Sequence, residues 1–93
     1  MEQTKAAIEA ILFAMGDSVA LSDLAQALEL PPEQTFAVED SPNGVKSAFL
    51  AGCNVIMVPD LTEPGEEERA MLYARADSLT DIKEILTDYL SKM

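Results

Sequence analysis

Histidine and tryptophan are absent from the 93 residues, and only one cysteine is present. Without histidine there is no Ser–His or Cys–His nucleophile pair and no zinc site of ordinary make-up. A single cysteine excludes an intramolecular disulfide and a thiolate metal cluster. Cys53, which follows Gly52 at a helix-to-strand join, reads as a small buried core residue. Basic residues are scarce too: six Lys and Arg stand against 17 Asp and Glu, for a formal net charge of −11. Such a surface repels nucleic acid and anionic membranes, because phosphate binding relies on Lys and Arg. Lys5, Lys46, Arg69, Arg75, Lys83 and Lys92 are scattered, so no nucleic-acid partner is expected. The start of the chain lacks the cationic stretch and apolar run of a signal peptide. Its apolar runs are too short and too interrupted by charge to cross a bilayer. No membrane partner and a cytoplasmic location are the expectations.

What is present suits a folded domain. Hydrophobic residues make up 48% of the chain and charged residues 25%, which is not the balance of a disordered tail. Aromatics are only 5%, so core filling falls to Leu, Ile, Val, Ala and five Met. A chain of this length is one domain, or two fragments sharing one core, and buries roughly 60–65% of the surface its unfolded form exposes.

Periodicity divides the chain in two. "TKAAIEAILFAMG" has helical spacing, with Ala7, Ile8, Ile11, Leu12 and Met15 on one face, Thr4 as N-cap and Gly16 as terminator. Ser22 caps a second helix carrying Leu24, Ala25, Leu28 and Leu30, which Pro31 and Pro32 end. From Phe36 the period changes. "FAVED" is a short continuous apolar run, suited to a strand buried on both faces. "SPNGVKSAFLAGC" reads as a helix burying Val45, Ala48, Phe49 and Leu50, begun by Ser41 and Asn43 and ending at Gly52. "NVIMVPD" is a second buried strand, stopped by Pro59. Strand, helix and strand make one βαβ unit. A short helix is expected around residues 66–74, and a longer one capped by Thr80 with Ile82, Ile85, Leu86, Tyr89 and Leu90 on one face. Met15, Met57 and Met71 read as core fillers. The expected fold is α/β: a short, two-stranded parallel sheet covered by four to five helices, with an N-terminal helix pair.

The residues "VEDSPNGVKSAFLAG", "NVIMVPD" and "ARADSLTDIKEIL" resemble the C-terminal part of the haloacid dehalogenase superfamily, nearest to its β-phosphoglucomutase-like sugar-phosphate phosphatases. The resemblance covers residues 36–93. It implies that Asp40 is a Mg²⁺ ligand and Glu39 its direct or water-mediated partner. Carboxylates at the carboxyl end of a parallel strand stand where α/β sheets bind ligands, and Mg²⁺ takes oxygen ligands. The resemblance also implies a nest-like backbone at Ser41 and Asn43 that could receive a phosphate or another anion. The rest of that machinery is missing from the sequence. There is no Asp-x-Asp followed by Thr to supply a nucleophile, no matching Ser/Thr or Lys to hold a phosphoryl group, and no cap domain. Phosphoryl transfer depends on positioning and charge stabilisation, which one pair of carboxylates does not provide.

Residues 1–35 resemble something else. "KAAIEAILFAMGDSVALSDLAQALEL" is similar to the start of the bacterial segregation and condensation protein B, which implies a truncated winged helix. The match stops near "PPEQT", before the third helix and wing. The two segments, 1–35 and 36–93, are expected to share one core, their apolar faces covering each other.

Three functions follow. The first is a non-catalytic, self-associating structural protein joined from unrelated fragments, engineered or recombined. The second is a protein-interaction module of the chromosome segregation and condensation type. The third is a residual Mg²⁺-dependent phosphatase or phosphomutase, needing a nucleophile from another chain. The first is adopted. It carries no catalytic residue, small-molecule substrate or required cofactor, a vestigial Mg²⁺ site at most, and a homodimer as the expected assembly.

Overall fold

The computed structural model describes residues 8, 10–14, 26–60 and 62–92. Along them run β1 (Ala10–Ala14), a 3-10 turn (Pro32–Gln34), β2 (Thr35–Glu39), α1 (Pro42–Leu50), β3 (Asn54–Met57), α2 (Glu66–Met71), β4 (Ala74–Arg75) and α3 (Leu79–Ser91). The class is α/β. The sheet has four parallel strands in the order β1-β2-β3-β4, not the expected two, and three α-helices flank it among the described residues.

The added strands account for the difference. Residues 10–14, expected inside a helix, are an extended strand paired with β2 from Ala10 opposite Thr35 to Ala14 opposite Glu39. "AILFA" is a short apolar run, and such runs carry no period that separates strand from helix; tertiary pairing decides. The proposed Thr4 cap, Ala7, Met15, Gly16, Ser22, Leu24 and Ala25 lie outside the described residues. Of the second expected helix, residues 26–27 are helical, and the chain then turns at Glu29, whose φ of +55° is in the left-handed region. The other added strand, β4, is only two residues long.

Two buried layers enclose the sheet, and strand alternation assigns residues to them. Ala37, Val55 and Met57 face α1 and α2, packing with Val45, Ala48 and Cys53, and with partly buried Leu12, Met71 and Leu72. Phe36, Val38 and Ile56 face α3, packing with Ala76 and Ile82, and with partly buried Ile8, Ile85, Leu86 and Tyr89. Every residue of β2 is buried, as a central parallel strand requires. Leu12 and Ile8 bring the first segment into both layers. Met57 sits in the core, Met71 is partly buried against it, and Cys53 is buried.

Helix ends follow from local chemistry. Gly52, at φ +90°, closes α1: its N–H donates to the Phe49 carbonyl while the Cys53 N–H donates to that of Ala48. This is the left-handed helix ending that favours glycine. Phe49 and Leu50, expected in the buried face, are 43% and 82% exposed. A nine-residue helix lying over small strand residues needs only the narrow stripe of Val45 and Ala48. The cap of α3 is Ser78, not Thr80; its hydroxyl accepts from the Asp81 N–H at 3.3 Å. Asp81 in turn accepts from the Asp77 N–H at 2.9 Å, so the acid at the third helical position fixes the earlier start. Leu90, expected on the apolar face of that helix, is exposed at its last turn. Among the described residues, no helix is long and apolar enough to cross a membrane.

Candidate functional site

The carboxyl end of β2 and the start of α1 hold all four residues singled out by sequence, Glu39, Asp40, Ser41 and Asn43. β2 delivers Glu39, whose carbonyl accepts from the Val58 N–H at 2.9 Å, and Asp40 follows in the turn. Ser41 is the N-cap of α1: its hydroxyl accepts from the Gly44 N–H at 3.2 Å and its carbonyl from the Val45 N–H at 3.0 Å. The hydroxyl is thus engaged in a local backbone role. Asn43, on the first turn of the helix, is exposed.

The two carboxylates differ in environment. Asp40 is half-buried. Glu39 is only 4% exposed, and its side chain folds over the first turn of α1. A β-carbon at Gly44 would collide with the Glu39 carboxylate and come within 3.3 Å of Ser41 Oγ. Burial, with the negative charge of Asp40 as a second cause, pushes the Glu39 carboxyl up to about 7. The neighbours of Glu39 in the sheet are Met57 on β3 and Ala14 on β1, level with it by register. Lys46, the basic residue of α1, makes its ion pairs elsewhere, at 3.0 Å with Glu67 and 3.8 Å with Glu68 on α2.

The close approach of Gly44 was not visible in the sequence, where "SPNG" reads only as a turn and helix start. It makes a quantitative expectation possible. Glycine to alanine inside an open helix gains about 0.5–1 kcal/mol. Here the displaced carboxylate should reverse the sign, so Gly44→Ala is expected to destabilise by about 1–2 kcal/mol. In a Glu39→Ala background the same change should stabilise. Urea unfolding of the four proteins in a double-mutant cycle measures this, and additive effects would refute the contact.

A resident Mg²⁺ is implied by the sequence resemblance, and the residues present fit it poorly. Mg²⁺ takes near-octahedral oxygen coordination. Here one carboxylate, that of Glu39, is buried and turned against a helix. Among the described residues, no group of three or more His, Cys, Asp or Glu converges to hold a metal. A second feature, absent from the sequence reading, is a groove of about 540 Å³ between β4 and α3, bordered by Tyr73, Arg75, Asp81, Glu84, Asp88 and Lys92. Its cations are already engaged. Arg75 grips Glu63 through two hydrogen bonds of 2.8 and 2.7 Å and Asp77 through one of 2.7 Å, while Lys92 pairs with Asp88 at 3.4 Å. The guanidinium holds the Glu63 carboxyl below the usual carboxylate range. These exposed ion pairs organise the surface and add little stability.

Against solved structures, the chain is similar to a dehalogenase crystallised with an intermediate complex, at 21% identity and a TM-score of 0.57. The fold is shared with a dehalogenase. The likeness covers 68% of this chain but only 28% of the dehalogenase, so the chain spans under a third of that protein's length. No protein-family model matches the sequence, and no curated protein matches it. The dehalogenase-like fold agrees with the expectation for residues 36–93. It lends no support to a winged helix in residues 1–35, of which 10–14 form a strand of the same sheet.

Proposed function

We propose that this chain is a non-catalytic, dehalogenase-like α/β domain whose acidic strand end is the remnant of a cation site. One observation carries the reading. The strand beside the acidic pair ends at Ala14, level with Glu39, and alanine is a residue type with no group able to attack phosphorus or carbon. Other features support it. The sequence contains no histidine, and its single cysteine is buried with its thiol pushed up by desolvation. The hydroxyl of Ser41, next to the acidic pair in sequence, is occupied as a helix cap. Anion binding at Ser41 and Asn43 is disfavoured by the two carboxylates that share the helix start. That residues 10–14 share a sheet with the strands of residues 36–93 supports reading the two segments as one unit. The chain needs no cofactor.

The test is direct. The purified protein is expected to hydrolyse neither p-nitrophenyl phosphate nor sugar phosphates in the presence of Mg²⁺. Calorimetric titration should find Mg²⁺ bound more weakly than about 1 mM. A magnesium-dependent rate abolished by Asp40→Ala would overturn the proposal.

A further inference from the structure

We infer that β1 is a dimerisation edge, at which two copies of the chain pair their β1 strands antiparallel about a two-fold axis and merge their sheets into one. This goes beyond the reading of the acidic pair and stands independently of it. It gives the self-association expected from the sequence a definite place.

The two ends of the sheet are unlike each other. β4 is two residues long, and its Arg75 is held between Glu63 and Asp77. Short, charged edges of this kind resist pairing with another chain. β1 is five residues long, pairs with β2 along its whole length, and has no described strand on its other side. Its sequence, "AILFA", contains no charge, proline or glycine, the devices that blunt an edge.

The face of β1 is also incompletely covered. By register Ile11 lies beside Phe36 and Phe13 beside Val38, on the side of the sheet that α3 covers. Phe36 and Val38 are fully buried, yet Ile11 is 39% and Phe13 53% exposed. The cover supplied by α3 therefore stops one strand short, although parallel sheets are ordinarily covered on both faces.

Charge identifies the occupant. With 17 acidic residues against six basic, most surfaces of two copies repel each other. Residues 10–16 carry no charge, so copies meeting at β1 oppose no carboxylates along the strand. A cationic peptide would find no acid on β1 to pair with, whereas a second copy brings a matching apolar strand. A two-fold axis at Leu12 sets Ile11 of each copy opposite Phe13 of the other on the same sheet face. Such self-complementarity is what a two-fold contact requires.

Sedimentation equilibrium of the full chain tests the inference. A dimer is expected for the wild type. Ile11→Lys and Phe13→Lys should each weaken association about tenfold or more, and Leu50→Lys, on the exposed side of α1, should leave it unchanged. Should a β1 variant fail to fold by circular dichroism, hydrogen exchange on the wild type decides. Amides of residues 11–13 should exchange more slowly when the protein is concentrated about a hundredfold. A wild type that stays monomeric, a dimer that survives Phe13→Lys in folded protein, or exchange at 11–13 that ignores concentration would overturn it.

Discussion

Replacing Phe36 by alanine is expected to lower the unfolding free energy by about 3–5 kcal/mol, the range for large aromatic truncations in a packed core. Phe36 is completely buried, and its ring meets Tyr73 at 5.3 Å and Tyr89 at 5.0 Å, both edge to face. The two tyrosines meet each other at 5.8 Å, closing a three-ring cluster between the sheet and α3. A domain of this length has a total margin of about 5–14 kcal/mol, so the variant should lose a substantial part of it. Phe36→Leu keeps most of the apolar volume and forfeits mainly the ring–ring contacts, worth about 0.5–1.5 kcal/mol each. Urea denaturation midpoints measure both. A loss under about 1 kcal/mol for the alanine variant would mean that the three rings are not packed as described.

Glu39→Gln should stabilise the protein in mildly alkaline solution, by about 2–3 kcal/mol. The folded state holds the Glu39 proton up to about pH 7, against an ordinary value of 4.5. Below the ordinary value both folded and unfolded chains are protonated, and the residue contributes nothing. Between 4.5 and 7 the unfolded chain has released its proton while the folded chain keeps it, so stability falls as pH rises. Above 7 both are ionised, and the folded state carries the full penalty of a buried carboxylate beside Asp40. At about 1.4 kcal/mol per pH unit the shift gives roughly 3 kcal/mol as an upper bound. Glutamine keeps the shape and removes the charge. The difference between variant and wild type should grow from near zero at about pH 4.5 to its plateau above about pH 7. Stability profiles that run parallel across that window would show that Glu39 is solvated and ionises normally.

The central βαβ unit was legible because its signals agree at short range. "FAVED" and "NVIMV" are apolar runs bounded by turn residues, and Ser41 and Gly52 punctuate the helix between them. The acidic pair was legible for the same reason: adjacency in sequence placed Glu39 and Asp40 at one strand end. What escaped depends on partners distant along the chain. Residues 10–14 contribute Ile11 and Leu12 to a helical spacing that starts at Ala7, and their extended form comes from a partner strand 25 positions away. Leu50 sits on the side of α1 turned away from Val45, a placement set by where the helix lies on the sheet. The choice of Ser78 over Thr80 as cap hinged on Asp81 reaching back to the Asp77 N–H. The nearness of Gly44 to Glu39 exists only once the strand and helix have docked.

The three-ring cluster also makes the chain an unusual spectroscopic object. With no tryptophan and only two tyrosines, both of them in that cluster, tyrosine absorbance and emission come from one corner of the molecule. An optical melt followed on the tyrosines reports the seating of α3 on the sheet around Phe36. If it coincides with the far-ultraviolet dichroism transition, the sheet and its helices come apart together. A lag between the two would show that the ring cluster and α3 loosen in a step of their own.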